Sequence, residues 1–182
     1  MGLKKNIMTE KEIEQWVIVC RGEVVHECTK IEVMLNCIIT SFFSNEKTMH
    51  EFSSVILGNQ SFNLDFKYKV LKYICENNIK GFKNKYPKFL NELKKCIELR
   101  NEFAHKFLTA FEDNPTLVSL KTHENKIAVV KTTVSKKEMD KYRNLFNSVL
   151  GVLITLYKAF EEFKKKADEG ESHPPTTSAN VI

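Results

Sequence analysis

An arginine, an asparagine and a histidine fall within six residues of one another in the segment LRNEFAHKF: Arg100, Asn101 and His105. Together they suit the chemistry of a phosphodiester. A guanidinium grips phosphate oxygens through two parallel N–H donors, and an imidazole takes or gives a proton near neutral pH. On a helix, Asn101 and His105 share a flank. Arg100 and His105 are turned by about 140° from each other and lie ~7.5 Å apart along the axis. They do not stack, yet the long arginine stem can approach a ligand held by the histidine at a cleft or a symmetric interface. The same residues also have structural uses, the arginine in a buried ion pair and the histidine as a partner for carbonyls at a helix end.

The helix that would carry these residues is expected over 87–110, ended by Asp113-Asn114-Pro115. Its apolar arc is Leu90, Leu93, Ile97, Ala104, Phe107 and Leu108, and Arg100 falls near the middle of that arc. A charge facing a core needs a partner or access to water. Four other helices are expected around it. Thr9 and Glu12 form a capping box that opens a long helix over 10–43, with Glu27 in its apolar stripe. Short helices are expected over 48–57 and 64–76, closed by Gly58-Asn59 and Asn77-Asn78. Ser135 and Glu138 form a second capping box, opening a long closing helix with apolar residues at helical spacing from Tyr142 to Phe163. Two β-prone runs around a polar turn at 123–125 predict a hairpin over 117–131. The fold class is mainly α: a bundle of two long and two to three shorter helices, with a small hairpin inserted before the last helix. The expected organisation is a flexible N-terminus over 1–8, a single helical domain over 9–166 and a disordered tail over 167–182.

Composition sets the partners and the compartment. A chain of 182 residues with 42% hydrophobic and 28% charged residues is that of one globular domain. No run approaches the ~18 apolar residues of a spanning helix, so no membrane association and a cytoplasmic location are expected. Five cysteines without a CxxC pair read as small apolar residues in a reducing compartment, and no metal site or cofactor is expected. Residues 1–166 carry 28 basic against 20 acidic side chains, a charge of +8 that suits a polyanionic partner or simply a solvated lysine-rich surface.

In a helical chain of this length, the string LRNEFAH at the end of an apolar helix resembles the signature of the HEPN superfamily, in which an arginine, a polar residue often asparagine, and a histidine follow one another as Arg100, Asn101 and His105 do. The long first helix, the stretch FKYKVLKYI and the closing helix are similar to the branch that includes the mannitol operon repressor family. The resemblance covers most of 9–165. It implies metal-independent RNA cleavage at a paired Arg/His site in a homodimer, with two motif helices facing each other. On that pattern the RNA 2′-hydroxyl attacks phosphorus, His105 is general base or acid, Arg100 stabilises charge on the phosphoryl oxygens, and Asn101 orients the histidine or the phosphate. The products expected are a cyclic or 3′-phosphate and a 5′-hydroxyl. Such proteins serve as toxins with antitoxin partners or in antiviral defence, while non-catalytic members act as transcriptional regulators or interaction modules. An acidic residue on an early helix accompanies the motif: Glu32 fits the family position, and Glu27 is the choice from the apolar stripe. The chain departs from the pattern at Lys106-Phe107, where small or polar residues are usual, so the helix is expected to continue past His105.

A second candidate surface interleaves Lys67, Lys69, Lys72, Lys83 and Lys85 with Phe66, Tyr68, Tyr73, Phe82 and Tyr86. Lysines track a phosphate backbone while rings stack bases, and the alternative is an ordinary helix with buried rings and solvated lysines. The segment YRNLF, 142–146, repeats the Arg-Asn pair without a histidine and reads as a helix face. The remaining histidines lack metal-ligand spacing. Gly-rich phosphate loops and nucleophile-elbow or cysteine-nucleophile signatures are absent, which argues against nucleotide hydrolases, esterases and cysteine proteases.

Overall fold

The computed structural model describes residues 9–168 except 46, 60, 112, 113, 124 and 125. The N-terminus expected to be flexible over 1–8 and residues 169–182 of the tail expected to be disordered lie outside the described residues, while residues 167 and 168 of that tail belong to the last helix. The fold is mainly α. Helix α1 spans Glu10–Phe43, and its start is fixed by both bonds of the capping box between Thr9 and Glu12. Helix α2, Met49–Glu51, runs on into a π-helical turn at Phe52–Leu57. Helix α3, Leu64–Asn78, starts under the side chain of Asn63, which accepts from the Phe66 N–H at 2.9 Å. Gly81, with φ at 71°, takes the left-handed turn into the short helix α4, Phe82–Lys85. Helix α5, Phe89–His105, carries the motif, and helix α6 spans Lys136–Asp168 behind the Ser135 cap.

Hydrogen bonds made by side chains give the helix directions. Trp16 Nε1 donates to Val134 O, Ser41 Oγ donates to Glu161, and Lys164 Nζ donates to Ser44 O, so α1 and α6 run parallel. Cys28 Sγ donates to Cys96 O and Arg21 donates to Lys106 O, so α5 runs antiparallel to α1. The T-shaped contact of Phe103 with Tyr142 and the bond from Ser148 to Glu92 set α5 antiparallel to α6 as well. The core between these helices includes Val24, Ile31, Leu35, Leu71, Leu93, Phe103, Phe146 and Leu153, all fully buried. Cys20, Cys28, Cys75 and Cys96 pack within it as apolar residues.

The motif helix is shorter than expected. It ends at His105, Lys106 turns extended, and Phe107–Phe111 forms strand β1. Where a two-stranded hairpin was expected, the chain makes a three-stranded antiparallel sheet in the order β1-β2-β3, with β2 at Asn114–His123 and β3 at Lys126–Thr133. Phe107 pairs with Val118 and Leu108 with Leu117. Ladder pairing over five residues outcompetes a helical continuation whose apolar period extended only to Leu108.

Candidate functional site

Helix α5 delivers its three motif residues to three different environments. Buried Cys96, Ile97 and Phe103 are three or four positions from Arg100, so they draw its stem onto the core face, and the residue is half-buried. Its guanidinium is close enough to Cys28 on α1 to oppose the effect of burial, which pushes that thiol up to about 12. Arg100 Nη1 donates to Asn101 Oδ1 at 3.2 Å, and Asn101 is exposed. His105 is exposed in the last turn of the helix.

Neither acidic candidate pairs with Arg100. The Glu27 carboxylate is held by Lys30 at 2.6 Å, and the Glu32 carboxylate is held by Lys67 at 2.6 Å. Both lie near enough to the Cys28 thiol to raise its pKa, so they belong to the surroundings of Arg100 without closing an ion pair with it. Arg100 therefore makes no salt bridge among the described residues. The contrast with the second Arg-Asn pair is direct: Arg143 binds both oxygens of Glu23 on α1, through Nε and through Nη2 at 2.7 Å, and also takes Asp140 at 2.7 Å. Arg143 is a clamp between α1 and α6.

One residue enters the site unforeseen. Arg21, exposed on α1, donates from Nη2 to the carbonyl of Lys106 at 3.1 Å, next to His105. A cation at a helix C-terminus satisfies a free carbonyl and suits the helix dipole. It also adds a second positive charge beside the motif. Nothing local in the sequence marks it, because the contact joins residues 85 positions apart.

The lysine surface is corrected at one position. Lys67 is 3% exposed and spends its charge on Glu32, so it is a buried link between α3 and α1 and not an RNA contact. Lys69 pairs with Asp65, Lys83 with Glu76, and Lys85 lies over the Tyr86 ring, all on the surface. Lys72 is exposed with no partner among the described residues, beside Tyr73, which is 61% exposed.

The solvent side of α1 carries an uncharged stripe, flanked by exposed Arg21, His26 and Lys30. Gln15, Ile18, Gly22, Val25, Thr29 and Val33 follow one another at steps of three or four, and all six are exposed. Ile18 is 65% and Val33 53% exposed. Among the described residues no group of three or more His, Cys, Asp or Glu is placed to hold a metal ion, and no helix is long and apolar enough to cross a membrane. No protein-family model, no curated protein and no solved structure matches the chain.

Proposed function

We propose that this chain is a HEPN-like, metal-independent endoribonuclease of the toxin or defence type, acting in the cytoplasm as a homodimer. The observation that carries the reading is Arg100, half-buried along its stem and with no carboxylate partner among the described residues, on the same helix end as an accessible imidazole at His105. A structural arginine on this scaffold looks like Arg143, paired on both sides. An arginine held at the core edge and left unpaired keeps its donors for an anion from outside. In cleavage, His105 takes the proton of the RNA 2′-hydroxyl or protonates the leaving 5′-oxygen, and Arg100 stabilises the charge that grows on the phosphoryl oxygens. Asn101, bonded to Arg100, holds the guanidinium in place. Arg21 adds positive charge at the helix end, and Lys72 with Tyr73 offers a contact for flanking nucleotides. The uncharged stripe of α1 beside Arg21 supports a two-fold contact that brings two motif ends together.

The test is incubation of wild-type protein and His105→Ala with labelled mixed-sequence RNA in EDTA, with the product ends analysed. Cleavage leaving 5′-hydroxyl ends, reduced about 10²- to 10⁴-fold in the variant, is the expected result. Unchanged cleavage by a folded His105→Ala protein removes the assignment.

A second reading, a non-catalytic transcriptional regulator or protein-interaction module of the mannitol operon repressor type, is favoured by one observation. Glu27 and Glu32 are both taken by lysines, which leaves the motif without its usual acidic companion. That reading expects no RNA turnover at any pH or with any metal, and a stable complex with a protein partner.

A further inference from the structure

A cavity of about 590 Å³ opens between the C-terminal half of α1, the α2 and π-helical segment, and α6. Its α1 wall runs from Val33 to Ser41, about 8 to 20 Å along the helix beyond Cys28, and none of Arg100, Asn101 and His105 lines it. Its volume falls within the ordinary range of small-molecule sites.

Two features of its walls are unusual. Thr40 is 5% exposed, and its Oγ1 is buried with no hydrogen-bond partner among the described residues. One turn earlier on the same face, Asn36 Oδ1 is likewise buried and without a partner among them. Both residues line the cavity. A helical threonine ordinarily satisfies its hydroxyl on the carbonyl four residues back, so leaving it orphaned next to an asparagine oxygen costs stability with no gain inside the chain. Facing them, Tyr157 and Glu161 project from α6, one turn apart. Glu161 accepts from Ser41 Oγ at 2.7 Å and makes no ion pair among the described residues. Its charge reaches across the cavity: after burial, it is the main cause raising Tyr157 and Cys37 above their ordinary values. In a chain of net charge +5, no lysine or arginine among the described residues lines this cavity, and the basic side chain on its wall is His50.

The wall is therefore rich in acceptors: a carboxylate and an amide oxygen that can only accept, with a hydroxyl that can do either. Val33, Met49 and the Tyr157 ring supply apolar and aromatic surface between them. We infer that this cavity binds a primary ammonium group carried on a short aliphatic chain, as in linear di- and polyamines. The ammonium supplies three donors and one positive charge: the Glu161 carboxylate takes the charge, and the Thr40 and Asn36 oxygens, closed off within the cavity wall, take donors by a turn of their side chains on binding, while the methylenes lie along Val33 and Met49 with the ring of Tyr157 beside the cation.

A lysine side chain of a peptide has the same chemistry, and calorimetric titration separates the sources. The full chain is titrated with putrescine, spermidine, the tripeptide Gly-Lys-Gly and, as an anionic control, propionate. Saturable binding of an amine with one site per chain is expected, and the tightest of the three identifies the source. Glu161→Gln keeps an oxygen for Ser41 and is expected to weaken binding about 10- to 100-fold, the worth of one charge-assisted hydrogen bond. Thr40→Val removes an orphan hydroxyl without changing shape, so it is expected to raise the melting temperature of the ligand-free protein while weakening amine binding. The inference is overturned if no amine binds saturably, if Glu161→Gln binds amines as well as wild type, or if propionate binds comparably. A Thr40→Val protein that is less stable without ligand also overturns it, since the hydroxyl would then have a partner.

Discussion

Arginines 100 and 143 each precede an asparagine on a long helix, and the fold uses them in opposite ways. Arg143 reaches both oxygens of Glu23 and one of Asp140, while among the described residues Arg100 hydrogen-bonds only to the amide of its neighbour. A bidentate pair joining two helices is a structural bond, and removing one partner leaves the other without its counter-charge. Arg143→Ala is therefore expected to lower the melting temperature, whereas Arg100→Lys should leave it within a degree or two of wild type. On RNA the order reverses: Arg100→Lys is expected to lose about 10²- to 10³-fold in cleavage because an ammonium cannot reproduce the fork of a guanidinium, while folded Arg143→Ala retains it. Thermal melts and cleavage rates on the two variants check both halves.

Among the elements, the most informative boundary is the end of α5. The apolar stripe runs on through Phe107 and Leu108, so periodicity extends the helix to Ala110, yet the chain leaves it at His105. The choice is made by β2, whose free edge pairs with Phe107–Phe111, and by Arg21, which satisfies the exposed carbonyl of Lys106. This early stop leaves His105 exposed in a terminal turn. The starts of the helices, in contrast, follow local chemistry: Thr9, Asn63 and Ser135 each accept from the third residue of the helix that follows. Between α3 and α4 the backbone depends on a left-handed glycine. Gly81→Ala meets no steric obstacle, since nothing lies within 4 Å of the added methyl, so its cost is conformational alone. A loss of about 1 kcal/mol in urea unfolding is expected, with an unchanged m-value.

At the scale of the whole molecule, three helices fix one another, α1 parallel to α6 and α5 antiparallel to both, and none of the described elements covers the exposed stripe on the outer side of α1. A stripe from Gln15 to Val33 that exposes Ile18 and Val33 and carries no charge is unlike the lysine-rich surface elsewhere. Under the homodimer reading, Val25→Glu places like charges opposite one another across a two-fold contact. The variant is expected to elute as a monomer in light-scattering chromatography and to lose RNA cleavage with its melting curve otherwise intact. A wild-type protein that is monomeric at micromolar concentration would remove the paired site from the proposal.

The sequence by itself determined the features whose causes are local. Capping boxes and apolar periods located α1 and α6, because a cap bonds within three residues and a stripe repeats within a turn, and the Asn77-Asn78 stop located the end of α3 to within two residues. The candidate motif was legible for the same reason: Arg100, Asn101 and His105 lie on one helix end. Tertiary structure decided what those residues meet. It gave Glu27 to Lys30 and Glu32 to Lys67, although both had been candidates for Arg100, and it turned Lys67 from a surface lysine into a buried one. It also brought Arg21 to the end of α5 and left Thr40 without a partner beside a cavity. Pairing of charges and satisfaction of polar atoms depend on which elements pack together. One-dimensional periodicity names the face of a helix but not its neighbour.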